Sequence, residues 1–306
     1  MIRRLVMGLA ILGVAGGAVF WWLTMPSRLA PAALAGPAPN AEHGRLVFAA
    51  AGCASCHVTE GQTDRTRMGG GHGLKSPFGT FYAPNISPHP ERGIGRWSEA
   101  DFANAMLKGV SPSGEHYYPA FPYTSYQRMT VGDVRDLFAY MKTLPVDPTA
   151  NRPHDLPFPF TVRRGLGLWK LAFLDGQPFR PDPSKSAAWN RGAYLVEGPG
   201  HCAECHSPRA FTGAITADRR FAGGPNPEGA GWVPNITPHR DGIASWSEDD
   251  IASYLADGFT PSGDSAGGAM ASVIRNTAQL SNDDRAAMAA YLKALPAREG
   301  RAPPRR

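Results

Sequence analysis

The sequence contains one pentapeptide pattern twice, Cys-x-x-Cys-His, and these two copies use all four of its cysteines. The first copy is CASCH, at residues 53–57, and the second is CAECH, at residues 202–206. Three chemistries use a Cys-x-x-Cys pair: a zinc site, a redox dithiol and covalent attachment of haem. Zinc requires four ligands close together, whereas each pair is isolated in its own part of the chain. A redox dithiol is expected beside a βαβ pattern, which the sequence lacks.

The histidine after each pair favours the third chemistry, in which both sulfurs bond to haem vinyl groups and the histidine binds the iron. Helical geometry supports this, because it places the two cysteines on one face with the histidine just beyond. We therefore expect two covalently bound haem c groups. The residues that would bind them are Cys53, Cys56 and His57 in the first copy and Cys202, Cys205 and His206 in the second.

The two motifs lie in register within a longer internal repeat. Residues 83–114, which begin APNIS, recur as residues 233–263, which begin VPNIT. Likewise DVRDLFAYMKTLP recurs as DDRAAMAAYLKALP, so duplication is the simplest explanation. The expected organisation is an anchor and tether at 1–39, a first domain at 40–148, a linker at 149–185, a second domain at 186–298 and a basic tail at 299–306.

Each copy carries the same helix signals, and no stretch alternates long enough to indicate a sheet. The expected N-caps are Asn40 and Asn190 for the first helices, Ser98 and Ser247 for the middle helices, and Thr130 and Ser281 for the last. Gly109 and Gly258 are expected to end the middle helices in the left-handed conformation. Three short helices give a thin core for a domain of about 110 residues, which a haem would complete. The predicted fold class is therefore all-α.

An uncharged run at residues 5–25 follows two arginines, and its length suits a membrane span. The flanking arginines and the two tryptophans near its end favour a single-pass helix with a cytoplasmic N-terminus. The alternative is a cleaved signal peptide, for which residues 33–35 offer a small-x-small site. In a bacterium, both interpretations place the rest of the chain in the periplasm, and the first predicts an inner-membrane protein. The Pro/Ala-rich residues 26–40 are expected to hold the globular part away from the membrane.

The haem motifs, the helical repeat and the stretches APNIS and YPAFPYTSY resemble c-type cytochromes with class I cytochrome c-like domains. The likeness is greatest to the cytochrome subunits of membrane-bound alcohol and gluconate dehydrogenases, and it covers both predicted domains. It implies that the carbonyls of Pro84 and Pro234 accept a hydrogen bond from the iron-binding histidines. Trp97 and Trp246 would contact a haem or serve as ordinary core aromatics. The alcohol dehydrogenase subunits carry three such domains and this chain two, which puts the same partner in doubt.

A second axial ligand is expected from methionine, which raises the reduction potential. Met270 follows a glycine-rich loop ahead of the last helix, and Met129 stands directly before the corresponding helix of the first domain. These two are the predicted ligands, although they do not align within the repeat. Met68 is a weaker candidate. The methionines expected in the core are Met106, Met141 and Met288, and the alternative distal histidines are His72, His89, His116 and His239.

These features predict an electron-transfer protein rather than an enzyme, receiving electrons from a periplasmic or membrane-bound dehydrogenase and passing them to quinone or a terminal oxidase. The alternative is a catalytic dihaem protein, such as a peroxidase or a thiosulfate dehydrogenase, with one iron open. The net charge of +5 comes from scattered arginines, so no nucleic-acid partner is expected. Residues 151–179 belong to neither repeat; they would pack the two domains together, or dock on a membrane or a partner subunit.

Overall fold

The computed structural model describes residues 1–300, so the predicted basic tail lies outside the described residues except for its first two positions. The chain begins with helix α1, Ile2–Leu23, none of whose residues is buried. Within residues 1–300, α1 is the one helix that is both long and apolar enough to cross a membrane. The apolar run seen in the sequence is therefore a continuous helix.

The segment after α1 is bound to the globular part of the molecule. The Leu29 amide donates to Asn104 Oδ1 at 2.8 Å, and an Arg28 guanidinium nitrogen donates to the carbonyl of Pro112 at 2.7 Å. Leu34, in a short 3₁₀ turn, packs on the first hydrophobic core. The segment expected to act as a tether is thus fastened to the first domain, and these contacts hold the globular part close to the end of α1.

The two halves of the chain contain corresponding helices. Those of the first half are α2 (Ala41–Ala50), α3 (Cys53–His57), α4 (Glu99–Lys108), α5 (Tyr123–Tyr126) and α6 (Val131–Met141). A single helix, α7 (Leu166–Phe173), lies in the segment between the halves. Those of the second half are α8 (Ala187–Glu197), α9 (Ala203–His206), α10 (Glu248–Asp257), α11 (Gly268–Thr277) and α12 (Asn282–Lys293).

The first and last helices of each half cross at a glycine. A Cβ on Gly44 of α2 would lie 1.9 Å from the carbonyl oxygen of Asp136 in α6. A Cβ on Gly192 of α8 would lie 1.8 Å from the carbonyl oxygen of Ala287 in α12. Only glycine permits so close an approach of two helix backbones. The same crossing thus builds both halves.

Most of the predicted helix caps are confirmed. Asn40, Thr130 and Ser281 accept backbone N–H groups of their helices, and Ser98 and Ser247 form full capping boxes. The exception is Asn190, because α8 begins earlier and is capped by Ser186. The side chain of Asn190 instead accepts the amide of Asp182 and donates to the carbonyl of the same residue, which fastens the incoming chain to the helix.

The fold is not entirely helical, since each half contains a short antiparallel hairpin. The larger pairs β1 (Gly73–Ser76) with β2 (Gly79–Tyr82), and the smaller pairs β3 (Gly224–Pro225) with β4 (Trp232–Val233). Strands of two to four residues are too short to show a period of two in the sequence, so the all-α prediction missed them. Two hydrophobic cores remain distinct, one beneath α2, α4 and α6 and the other beneath α8, α10 and α12.

Candidate haem centres and the contact between them

The first motif occupies the short helix α3, which puts Cys53 and Cys56 one turn apart on the same face. His57 ends this helix, and its Nδ1 donates a hydrogen bond to the carbonyl of Pro84 at 2.8 Å. Burial lowers the pKa of His57, while the bond to Pro84 opposes that shift. A neutral ring with its proton on Nδ1 keeps the Nε2 lone pair for a metal, so this histidine is prepared to bind iron.

The second motif has the same geometry. Cys202 caps the short helix α9, Cys205 lies within it, and His206 ends it. His206 Nδ1 donates to the carbonyl of Pro234 at 2.8 Å. The hydrogen bonds that the resemblance implied for Pro84 and Pro234 are therefore confirmed, and both imidazoles are held in one orientation.

Two glycines, which the sequence reasoning did not single out, hold these proline loops in place. The amide of Gly70 donates to the His57 carbonyl at 2.9 Å, and that of Gly223 donates to the His206 carbonyl at 2.8 Å. Both have φ of +72°, and a Cβ on Gly70 would lie 2.5 Å from the Pro84 carbonyl oxygen. The signal was available, because a glycine follows each motif at a similar distance (RMGGG and FAGGP).

The two competing uses of cysteine pairs do not fit this geometry. Within residues 1–300, no three His, Cys, Asp or Glu side chains are grouped as a zinc site requires. Burial raises the pKa of all four thiols to about 12. A reactive dithiol instead needs a thiol whose pKa is lowered. The donor set of two thiols on one face with an oriented imidazole fits covalent haem.

Three of the alternative distal histidines have structural roles. His89 Nδ1 accepts the amides of Glu91 and Arg92, and His239 Nδ1 accepts the amide of Asp241, so both cap turns. His116 is buried, and its Nε2 donates to the carbonyl of Thr24 at 2.9 Å. His72 is exposed beside the larger hairpin.

The buried methionines of the first half have apolar counterparts in the second. The carbonyl of Met68 accepts from Ile86 just as that of Phe221 accepts from Ile236, and Met68 is 0% exposed. Met68 also lies two residues before Gly70, on the loop that holds the iron-binding histidine. Met106, Met141 and Met288 are buried on α4, α6 and α12, which confirms the prediction that they belong to the cores.

The two predicted methionine ligands lie in different settings. Met129 is 1% exposed and packs in the first core, where its backbone position corresponds to Leu280 of the second half. Met270 is the third residue of α11 rather than part of a loop, and it is half-buried against the second core. Trp97 and Trp246 also pack, partly buried, against the first and second cores. The structure therefore places Met270 in a helix that the sequence did not predict.

The segments that carry the two motifs meet in the contact between the halves. Asn276 Nδ2, on α11, donates to Ser55 Oγ, inside the first motif, at 2.8 Å. The carbonyl of Ala51, two residues before the first motif, accepts from Tyr126 Oη at 2.9 Å and from His201 Nε2 at 3.3 Å. His201 directly precedes the second motif. These contacts hold the segments around the two motifs together.

A buried carboxylate lies in the same contact. Glu204, inside the second motif, accepts from Thr124 Oγ1 at 2.6 Å and from Ser125 Oγ at 2.7 Å, both of them residues of the first half. Its other oxygen pairs with Arg209 at 2.8 Å. Burial raises the pKa of this carboxyl, but Arg209 and the two hydroxyls outweigh that effect and lower it, so Glu204 is ionised. A fixed negative charge thus lies between the two halves.

Each half of the chain thus has an oriented imidazole beside a cysteine pair, in a helical domain whose first and last helices cross. This arrangement is that of a protein with c-type haem. The cytochrome c family model matches residues 41–145 and 181–296, so the chain belongs to the cytochrome c family. It is 50% identical over 299 residues to a dihaem cytochrome c-type protein of Cereibacter sphaeroides, covering 97% of this chain and 99% of that one. Two covalently bound haem c groups are therefore part of this protein.

Relatives from dehydrogenases share the same domains. The chain is 40% identical to one of the subunits of the nicotinate dehydrogenase of Pseudomonas putida, over 94% of this chain and 24% of that one. It is 37% identical to the cytochrome c subunit of the quinone-dependent alcohol dehydrogenase of Gluconobacter oxydans, over 84% of this chain and 55% of that one. The resemblance drawn from the sequence is confirmed, although the chain spans only about half or less of these dehydrogenase subunits.

Proposed function

We propose that the chain is a two-haem electron carrier that takes electrons from a dehydrogenase and delivers them to quinone or a terminal oxidase. Bound haem supplies reversible one-electron chemistry at iron. The observation that carries the proposal is the contact between the segments that carry the two motifs, through Ser55 and Asn276 and through Ala51 and His201. Since each haem would attach through the cysteines of its own motif, this contact would bring the two attachment sites near each other.

In this proposal the chain is divided as the repeat indicates, at 40–148 and 186–298. The residues assigned to the haems are Cys53, Cys56 and His57 in the first domain and Cys202, Cys205 and His206 in the second. The chain's own part is to orient each imidazole through Pro84 or Pro234 and to exclude water from each ring. Neither task requires the protein to move during electron transfer.

We assign Met129 and Met270 as the distal ligands. Met68 is assigned to the core instead, because it is fully buried and Phe221, which could not bind iron, stands at its position in the second half. Met129 lies in the turn that follows α5, whereas Met270 lies in the first turn of α11, the helix that corresponds to α5 in the second half. The two sulfurs would then come from different positions in the repeat, and the two haems would differ in potential.

The membrane location is part of the same proposal. Helix α1 would cross the bacterial inner membrane once, with its two N-terminal arginines in the cytoplasm and both haem domains in the periplasm. None of its residues is buried against the rest of the protein, which suits a helix surrounded by lipid. The dehydrogenase partner is supported by the relatives in nicotinate and alcohol dehydrogenases.

The test is to isolate the full-length holoprotein with its partner from gently solubilised membranes and to add the substrate of the dehydrogenase that co-purifies. We expect both haems to become reduced and then to be reoxidised by added quinone or by the terminal oxidase. Carbon monoxide binding distinguishes this electron carrier from a catalytic dihaem protein, in which one iron has an open coordination position. Binding of carbon monoxide by the reduced wild type, together with turnover of peroxide or thiosulfate without a dehydrogenase, would overturn the proposal.

A further inference from the structure

The segment between the two domains includes a stretch, residues 156–174, that we call the strap. It contains the 3₁₀ turn Arg163–Gly165 and helix α7, and it has three basic residues but no acidic ones. One of the three basic residues, Lys170, points inward and donates to the carbonyls of Lys108 and Gly109 at 2.8 and 2.7 Å. One face of the strap is therefore bound to the first domain, and the opposite face is exposed to solvent.

The strap packs directly on the last turn of α1. Arg164 donates to Thr24 Oγ1 at 2.8 Å and to the Trp21 carbonyl at 2.6 Å, and its guanidinium lies 4.0 Å from the centre of the Trp21 ring. Gly167 approaches so closely that a Cβ there would lie 2.6 Å from Thr24 Cβ. Thr24 itself is 0% exposed. The strap and the end of α1 are thus one packed unit.

This contact sets the height of the strap above the membrane. A helix of 22 residues rises about 33 Å, close to the roughly 30 Å of a hydrocarbon core, so Leu23 lies at the boundary with the headgroups. Helix α7 touches Thr24, the next residue. Since a helix is about 10 Å across, the strap begins at the level of the headgroups.

The outer face of the strap is apolar and exposed. Phe158 is 81% exposed, Leu171 63% and Leu168 45%. The face continues onto the second domain, because Trp169 Nε1 donates to the Thr212 carbonyl at 3.0 Å and the adjacent Phe211 is 94% exposed. Exposed apolar side chains in continuous arrangement indicate an interaction surface rather than chance.

We propose that this face of the strap, with Phe211, lies in the headgroup–acyl boundary of the membrane that α1 crosses, as a second attachment of the haem domains to the lipid. Exposed apolar side chains at the level of the headgroups suit the boundary between headgroups and acyl chains, and the strap has no acidic residue that an anionic lipid surface would repel. Two attachments fix the orientation of the haem domains relative to the membrane plane, which a single membrane-spanning helix would leave free to change. The inference rests on the proposed membrane span of α1, and its test separates the two.

The test uses full-length holoprotein in vesicles of phosphatidylcholine and phosphatidylglycerol, with one cysteine introduced at a time for a nitroxide label. The four native cysteines are bound to haem, and the unsubstituted protein controls for background labelling. Leu171→Cys reports on the strap and Leu12→Cys, within α1, on lipid. Phe259→Cys is the matched control, because Phe259 is exposed and apolar but belongs to the second domain rather than to the strap.

The measured quantity is the ratio of the collision rate of oxygen with the label to that of a water-soluble nickel chelate. We expect this ratio to be several-fold higher for the label at 171 than for the label at 259. A label at 171 that behaves like the label at 259, while the label at 12 reports lipid, overturns the inference and leaves the anchor intact. Aqueous behaviour at both 12 and 171 overturns the anchor as well. Protection at 171 from both reagents only when the dehydrogenase is present would show that a protein, rather than lipid, covers the strap.

Discussion

Replacement of Met129 by leucine tests whether its sulfur is the distal ligand of the first haem iron. Leucine already stands at the corresponding position of the second half, where Leu280 is 6% exposed, compared with 1% for Met129. A volume-conserving exchange of this kind costs less than about 1.5 kcal/mol of folding free energy. The holoprotein should therefore fold, and a change at the iron reports the lost ligand rather than a damaged core.

The expected result is that one of the two reduced haems binds carbon monoxide and that its potential falls, because methionine ligation raises it. The assays are a carbon monoxide titration and a spectroelectrochemical titration of the purified variant. Met141→Leu is the matched control: Met141 is 2% exposed in the same core and has leucine at the corresponding position, 292. It should bind no carbon monoxide.

The reasoning is refuted if neither haem of the Met129→Leu variant binds carbon monoxide and both reduction potentials are unchanged. Met129 would then be a core residue like its leucine counterpart. If Met68→Leu instead allows one haem to bind carbon monoxide, the assignment of Met68 to the core is wrong as well.

Three further predictions test other parts of the structure. Glu204→Gln should raise the reduction potential of the haem bound by the second motif, because a negative charge stabilises the oxidised iron. Glu204→Asp keeps the charge and should keep the wild-type potential, and redox titration of both variants tests this. Gly70→Ala should abolish most of the holoprotein, while Gly61→Ala, whose φ of +78° is similar but whose surroundings are open, should cost only about 1–2 kcal/mol; haem-stained yield and thermal unfolding compare them. Burial lowers the pKa of Lys170 to about 7 from 10.5, so between these values the unfolded chain binds more protons. Stability should therefore rise with pH from 7 to 10.5 and lose that slope in Lys170→Met; unchanged slopes in thermal unfolding would contradict the burial argument.

Much of the fold was predictable because its signals are local. Capping side chains reach only three residues along the chain, and an αL glycine ends a helix by its own backbone, so Ser98, Ser247, Gly109 and Gly258 were identified from the sequence. Asn190 was assigned wrongly for a related reason. Ser186 offers an equally good cap four residues earlier, and the difference depends on where the incoming chain packs.

The distal ligands show the limit of such reasoning. The sequence offers nine methionines, and the repeat removes Met106, Met141 and Met288, which lie on helix faces where leucine replaces them. Met129 also has a leucine counterpart, but it precedes the last helix rather than lying on a helix face. Met68 could not be judged that way, because its counterpart, Phe221, became evident only from matching backbone hydrogen bonds. Helix α11, which carries Met270, was also missed, because its first turn is rich in small residues and has no side-chain cap.

By itself, the sequence determined the chemistry of this protein: two haem attachment motifs in a duplicated chain, the residue types that bind iron, and an apolar helix ahead of them. These follow from residue identity and short spacing, which do not depend on how distant segments meet. Only the tertiary structure decided that the segments carrying the two motifs meet, that Glu204 lies between the halves, and that the strap packs on the end of α1. Such contacts join residues far apart in the chain, and their energies come from surfaces that exist only after both halves have folded.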